Sequence, residues 1–90
     1  MTAPVIMYAS PFCGYCTAAK ALLVARGIEY TEIDVLAEPE RRSEMITRSG
    51  RTTVPQIFIG TAHVGGYEDL ESLDASGKLG DLLAAHSPQD

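Results

Sequence analysis

The stretch Val5-Ile6-Met7-Tyr8-Ala9-Ser10-Pro11-Phe12-Cys13-Gly14-Tyr15-Cys16 decides the fold of this 90-residue chain. Its first five residues form an apolar run bounded by Pro4 and by Ser10-Pro11, which predicts a buried strand. The segment from Gly14 to Arg26 is rich in Ala, Leu and Lys, and Gly27 follows it, which predicts a helix and its end. The two cysteines therefore lie where a strand gives way to a helix.

The middle of the chain continues this alternation of strands and helices. Residues 28–35 are rich in β-branched side chains and predict a second strand, and Pro39 opens a helix that Gly50 ends. Residues 56–59 predict a third strand, and His63-Val64 predicts a short fourth. This order indicates an α/β domain with four strands, of which the first two are parallel through a right-handed crossover.

The C-terminal region is predicted to be helical and broken once. Its leucines recur at helical spacing on both sides of Ser76-Gly77, at Leu70, Leu73, Leu79, Leu82 and Leu83. The polar residues 87–90 are expected to fray. We therefore expect one domain over residues 1–90, with an ordered core from about residue 4 to about residue 86.

Charge and hydropathy exclude several classes of partner. Seven Lys and Arg face twelve Asp and Glu, for a net charge of -5 and a pI near 4.8, and all of the excess lies beyond Gly66. Such a chain is an unlikely match for nucleic acid or for an acidic membrane surface. The apolar runs are too short for a membrane span of about 20 residues, and the N-terminus lacks a secretory pattern. We expect a cytoplasmic protein.

The two cysteines have the spacing of a redox dithiol. At a helix N-terminus, unpaired N–H groups and the helix dipole stabilise a thiolate at Cys13, whereas Cys16 lies one turn inside the helix and is more buried. Cys13 is then the attacking sulfur and Cys16 the resolving one. The alternatives are two structural cysteines, or a zinc site with His63 and His86, whose distant spacing does not favour metal.

Two further segments could bind an extended ligand. In Thr53-Val54-Pro55, a cis proline would leave the Val54 backbone free to pair with a peptide, although an ordinary strand-initiating proline also fits. In Gly65-Gly66-Tyr67-Glu68-Asp69, the N–H groups suit a carboxylate and the acidic side chains suit an ammonium. Taken alone, this second segment is more simply explained as a plain turn with acidic capping residues.

Taken together and in this order, these segments resemble the glutaredoxin family. The resemblance runs from Val5 to Leu83, through Cys13-Gly14-Tyr15-Cys16, through residues 44–60 and through residues 65–70, and is closest to small bacterial dithiol glutaredoxins of the glutaredoxin 3 type. It implies a thioredoxin-like fold, a four-stranded mixed sheet flanked by helices, a cis Pro55, and a monomer that acts with glutathione on glutathionylated or disulfide-containing proteins.

The resemblance also implies roles for individual residues. Cys13 and Cys16 are catalytic and form the redox-active disulfide. The residues that bind glutathione are then Tyr15, Arg42, Thr53, Val54, Pro55, Gly66, Tyr67, Glu68 and Asp69. Among these, Val54 pairs with the cysteinyl backbone, Tyr67 and Glu68 meet the γ-glutamyl end, and Arg42 reaches the glycyl carboxylate or is simply a solvated charge. No metal is expected.

Two positions depart from the usual family motif. Gly14 stands where proline is common, which loosens the helix start, and Ser10 stands where a lysine is often found. A glycine at this position of the motif also resembles the motif of monothiol glutaredoxins. The alternative function is therefore a homodimeric carrier of a glutathione-ligated [2Fe-2S] cluster. A thioredoxin-like reductase fed by a flavoprotein is a third reading, although the chain has Tyr15 where thioredoxins have proline and lacks tryptophan altogether.

Overall fold

The computed structural model describes residues 3–85. The strands in this part of the chain are β1 (Val5–Ala9), β2 (Thr31–Asp34), β3 (Gln56–Ile59) and β4 (Ala62–Gly65). The helices are α1 (Gly14–Ala25), α2 (Pro39–Ser49), α3 (Tyr67–Ala75) and α4 (Lys78–Ala85). His86, which is both the end of the expected ordered core and one of the considered zinc ligands, lies outside the described residues, as does the tail at 87–90.

The four strands form one mixed sheet in the order β2-β1-β3-β4. β1 pairs parallel with β2 and antiparallel with β3, and β3 pairs antiparallel with β4. The predicted four-stranded mixed sheet and the parallel pairing of its first two strands are confirmed. The central position of β1 and β3 places the end of β1 beside the start of β3, where Tyr8 pairs with Gln56.

Alternation along the strands places a helical layer on each face of the sheet. On one face, Val5, Met7 and Ala9 of β1 join Ile57 and Ile59 of β3 in a buried cluster. That cluster also contains Cys16, Ala19, Leu23, Leu70 and Leu79 from α1, α3 and α4. On the other face, Tyr8 and Phe58 pack with Ile33, Val35 and Met45, the last from α2. This is the architecture of the thioredoxin-like fold.

Two strand predictions had the wrong bounds. The second strand was expected over residues 28–35, but pairing with β1 begins only at Thr31, opposite Ile6. Ile28 and Tyr30 instead pack partly buried against the first cluster from the connection after α1, which explains their apolar character. The fourth strand is longer than His63-Val64, because Ala62 and Gly65 also pair with β3.

The helix predictions were more accurate. α2 begins at Pro39, and the C-terminal helical region is broken between Ala75 and Lys78, as predicted. Within residues 3–85, no helix has the length and apolarity needed to cross a membrane. The N-terminus of α1 and the N-terminus of α3 both contribute to one cavity beside the start of β3, and this arrangement builds the site.

Candidate active site

Cys13 is the N-cap residue of α1. Its backbone is extended, with φ -119° and ψ 114°, and its Sγ accepts a hydrogen bond from the Cys16 N–H at 3.2 Å. The Cys13 carbonyl accepts from the Thr17 N–H at 3.1 Å, which begins the helical hydrogen bonding. A sulfur in this position meets N–H groups that have no helical partner, together with the positive end of the helix dipole. The Cys13 sulfur is therefore the hydrogen-bond acceptor at the N-terminus of α1.

Cys16 lies in a different environment, one turn further into the helix. Its side chain is fully buried in the first cluster, whereas Cys13 is partly exposed. Burial, followed by the hydrogen bond with Cys13, raises the pKa of the Cys16 thiol to about 12. Both cysteines are free thiols in this structure. The predicted asymmetry in burial between the two positions is present.

Val54 brings the second predicted segment to Cys13. The Cys13 thiol donates to the Val54 carbonyl oxygen at 3.5 Å, a long contact of the kind that sulfur makes. The Val54-Pro55 peptide bond is cis, as the resemblance implied. The Val54 side chain is partly buried and packs against both core clusters. The backbone of this segment therefore lies directly beside the sulfur of Cys13.

A cavity of about 330 Å³ opens beside this segment. It is lined by Tyr15 from α1, by Arg51 and residues 53–55 before β3, and by residues 66–69 at the start of α3. The Tyr15 side chain is 62% exposed, and its ring centroid lies 6.4 Å from that of Tyr67, so the two rings border the opening. The structure thus brings eight of the nine predicted glutathione-contacting residues around one cavity, and it adds Arg51.

The first turn of α3 is held by Asp69. The Asp69 carboxylate accepts from the Gly66 N–H at 2.9 Å and from the Arg51 guanidinium at 3.2 Å. The Gly66 N–H and then Arg51 lower the pKa of Asp69. A Cβ on Gly65 would lie 2.3 Å from the Asp69 Oδ2, so this close approach requires glycine. Asp69 therefore has the capping role that the sequence left open.

Arg42 is the predicted site residue that lies outside this cavity. It lines a neighbouring depression together with Ser10 and Leu36, and the two depressions share Thr53 and Val54 as a common wall. The Arg42 Nη2 donates to the Thr52 carbonyl oxygen at 3.3 Å. Arg42 is thus placed on the opposite side of the Val54 segment from residues 66–69.

The residues predicted to bind glutathione did not include Arg51, Gln56 or His63. Arg51 had a weak signal, since it is a basic residue immediately before the Thr52-Thr53-Val54-Pro55 segment. Gln56 had another, since it is the one polar residue of an otherwise apolar strand. Burial and then the positive charge of Arg51 lower the pKa of His63, so this imidazole is neutral at neutral pH. The contacts of all three residues depend on tertiary structure, so their residue types alone did not predict them.

The donor groups in the described residues do not form a metal site within one chain. Between residues 3 and 85, there is no group of three or more His, Cys, Asp or Glu side chains that could hold a metal ion. Cys16 is buried, so one accessible sulfur per chain, that of Cys13, is available. An iron–sulfur cluster would therefore need a second copy of the chain and thiols from outside the protein.

Comparisons with known proteins agree with this geometry. The family model described as Glutaredoxin matches residues 5–64. The chain is 51% identical over 81 residues to Glutaredoxin 3 of Escherichia coli, covering 90% of this chain and 98% of the relative. The solution structure of a glutaredoxin from Brucella melitensis is 56% identical, with a TM-score of 0.80 and coverage of 91% of this chain and 89% of that one. A buckwheat glutaredoxin–glutathione complex is 29% identical, with a TM-score of 0.84 and coverage of 93% and 79%.

Proposed function

Since this chain belongs to the glutaredoxin family and so has a thiol-disulfide oxidoreductase role, we propose that glutathione is its reductant and that glutathione–protein mixed disulfides and protein disulfides are its substrates. The observation that supports the proposal most directly is the placement of the Cys13 sulfur. It lies at the N-terminus of α1 and beside Val54, which lines the cavity. In this proposal the protein maintains cell redox balance in the cytoplasm.

The first half of the reaction is an attack by the Cys13 thiolate. It attacks the glutathionyl sulfur of a mixed disulfide, the sulfur–sulfur bond breaks, and the target protein leaves as a thiolate that takes up a proton. A second glutathione thiolate then attacks the glutathionyl sulfur now bound to Cys13. Oxidised glutathione leaves, and the Cys13 thiolate is regenerated. Each cycle therefore consumes one glutathione thiol, and the glutathionyl group removed from the target ends in oxidised glutathione.

The cavity offers a partner for each part of glutathione. Ionisation of Cys13 removes the donor to the Val54 carbonyl, which then can accept from the cysteinyl N–H of glutathione. The N–H groups of Tyr67 and Glu68 begin α3 and suit the γ-glutamyl carboxylate, and the exposed Glu68 carboxylate suits its ammonium. Tyr15 provides an aromatic wall, and Arg42 is the candidate for the glycyl carboxylate.

Protein disulfides require both cysteines. Cys13 attacks one sulfur of the target, and the first target thiolate leaves. Cys16 then loses its proton and attacks the Cys13 sulfur, the second target thiolate leaves, and a Cys13–Cys16 disulfide forms. The Cys16 N–H already donates to the Cys13 sulfur, so the two cysteines are adjacent for this step. Two glutathione molecules reduce the new disulfide and release oxidised glutathione.

The test is reduction of a glutathionylated peptide with glutathione as the sole reductant, followed through the formation of oxidised glutathione. We expect turnover without any flavoprotein. Turnover only with a flavoprotein thioredoxin reductase would contradict the proposal and support the thioredoxin-like reading.

A matched control uses the same peptide with cysteinylglycine in place of glutathione in the mixed disulfide, and with glutathione again as the reductant. The cysteinylglycyl group lacks the γ-glutamyl part, so it cannot use the N–H groups at the start of α3. We expect slow turnover of this peptide. Equal rates with the two mixed disulfides would show that the reaction does not depend on recognition of the γ-glutamyl group.

The iron–sulfur alternative has a separate readout. A cluster carrier would be a brown homodimer with bound glutathione after anaerobic reconstitution with iron and sulfide. We expect a colourless monomer instead, measured by visible absorption and sedimentation. A stable coloured dimer would favour the carrier function.

A further inference from the structure

Gln56 is a buried amide at the start of an apolar strand. Its side chain is 0% exposed, and the rest of β3 is Ile57-Phe58-Ile59. An amide buried without hydrogen bonds destabilises a protein, so its partners show what its burial achieves. The Gln56 Nε2 donates to the Thr53 carbonyl oxygen at 3.0 Å and to the Thr53 Oγ1 at 3.3 Å.

These two bonds fix the orientation of the Gln56 amide. A backbone carbonyl oxygen can only accept, so the NH₂ group must face Thr53 and the Oε1 must point the other way. The Oε1 lies 2.7 Å from the Nε2 of His63. An amide oxygen also only accepts, so the proton of the His63 ring must be on Nε2. The polar atoms of the Gln56 side chain are therefore all paired.

His63 is itself held in place by the sheet. It pairs with Phe58 across β3 and β4, and the two rings stack with centroids 4.9 Å apart and planes at 30°. The Arg48 guanidinium lies over the same Phe58 ring, 4.1 Å from its centroid. The imidazole thus has a fixed orientation from which Nε2 faces Gln56.

Thr53, at the other end of this chain of hydrogen bonds, is an exposed residue that lines the cavity. It precedes Val54, whose carbonyl faces the Cys13 sulfur. We propose that His63 and Gln56 are positioning residues that hold the Thr53-Val54 backbone in the shape that receives the peptide backbone of the substrate. They act from within the sheet without touching the substrate.

This inference rests on the proposed function for its substrate, although its structural part can be tested without glutathione turnover. Two substitutions of His63 separate the hydrogen bond from the ring stacking. His63→Phe keeps a ring on Phe58 and removes the donor to Gln56. His63→Gln removes the ring and places an amide nitrogen near the position of Nε2, so it keeps a donor. Each variant is compared with wild type for KM and kcat on a glutathionylated peptide, and for the mobility of the Val54 amide, measured as its ¹⁵N order parameter by NMR relaxation.

For His63→Phe we expect KM to rise by about three- to tenfold, the size of one lost hydrogen bond, with kcat within about twofold of wild type. The order parameter of the Val54 amide should fall in the same variant. His63→Gln should restore both values to near those of wild type. An unchanged KM and an unchanged Val54 amide in His63→Phe would overturn the proposal.

Two other results would also overturn it. A rise of KM in His63→Gln as large as that in His63→Phe, or larger, would show that the donor to Gln56 is not the cause, because His63→Gln keeps that donor. A raised KM with an unchanged Val54 amide would place the effect outside the Thr53-Val54 backbone. If wild type shows no turnover with glutathione, the proposed function fails by itself, and the order parameter of the Val54 amide still decides whether His63 and Gln56 hold this segment.

Discussion

The thiol of Cys13 donates to the carbonyl oxygen of Val54 at 3.5 Å, although 41 residues separate them in the sequence. The contact exists because β1 and β3 are neighbouring antiparallel strands, so the end of the first lies beside the start of the second. It joins the nucleophile to the backbone that would receive the substrate. The chemistry of this protein therefore depends on two short segments that the sheet brings together.

Cys16 is expected to be unreactive toward alkylating agents. Burial raises the pKa of its thiol to about 12, so its thiolate fraction at pH 8 is about a thousandfold or more below that of a free cysteine with a pKa of about 8.5. Iodoacetamide at pH 8 should modify Cys13 rapidly in Cys16→Ser and leave Cys16 largely unmodified in folded Cys13→Ser, as followed by mass spectrometry. Modification of Cys16 as fast as that of a free thiol would contradict this account.

Asp69→Asn should destabilise the protein in a pH-dependent way. Because the Gly66 N–H and Arg51 lower the pKa of Asp69 in the folded state, its stabilising effect is complete above the unfolded pKa of about 3.9 and is lost as the pH falls through the lower folded value. Asparagine keeps an acceptor for Gly66 but loses the charge. We expect a loss of about 0.5–1 kcal/mol at pH 7, modest because the ion pair is half exposed.

Urea denaturation of wild type and Asp69→Asn at pH 7 and at pH 2.5 measures this difference. It should be clear at pH 7 and should shrink toward zero at pH 2.5. Asp81→Asn, at an exposed helical carboxylate, is the control and should have little effect at either pH. A difference for Asp69→Asn of the same size at both pH values would exclude its charge as the cause.

Tyr8→Phe should also lower the free energy of unfolding. The Tyr8 ring is fully buried, and its hydroxyl donates to Glu44 and accepts from Arg48 at 2.8 Å. Removing the hydroxyl breaks both hydrogen bonds and leaves the Glu44 carboxylate and the Arg48 guanidinium without this partner. The expected loss of stability is about 1–2 kcal/mol. The matched control is Tyr30→Phe, whose hydroxyl has no hydrogen bond within the described residues. Equal urea midpoints for the two variants would show that these hydrogen bonds contribute little.

Gly14→Pro should stabilise the protein. Gly14 is the first residue of α1, no heavy atom would lie within 4 Å of an added Cβ, and the extended backbone of Cys13 is the conformation that a following proline favours. The free energy of unfolding should rise by about 0.4–1 kcal/mol, because proline lowers the conformational entropy of the unfolded chain. Gly27→Ala provides the contrast, because its space is also open but its φ of +68° disfavours a side chain. A lower urea midpoint for Gly14→Pro would refute the expectation.

Much of the fold could be predicted because its signals are local. Pro4 and Pro11 bound the first strand, Pro39 starts α2, and Gly77 separates the last two helices. The extent of β2 could not be predicted, because Ile28 and Tyr30 are apolar for packing against the core rather than for pairing. Only the pairing register of β2 with β1 shows which residues of this stretch belong to the strand and which are apolar because they pack against the core.

The site residues also divide into those that local sequence signals predict and those whose contacts exist only in the folded protein. The cysteine pair and Val54-Pro55 are short motifs whose meaning depends on spacing and on a resemblance to a family. Arg51 contributes through an ion pair with Asp69, which is distant in sequence, and Gln56 and His63 through a hydrogen bond across the β3–β4 hairpin. Their residue types alone do not predict those partners, which only the folded sheet defines.

The central claim is that Cys13 alone performs the attack on a glutathione mixed disulfide. Its most direct test compares the rates at which wild type, Cys13→Ser and Cys16→Ser reduce a glutathionylated peptide with glutathione. The account predicts that Cys13→Ser falls to the background rate, whereas Cys16→Ser keeps most of the wild-type rate. Equal loss of activity in both variants, or activity that survives in Cys13→Ser, would contradict it.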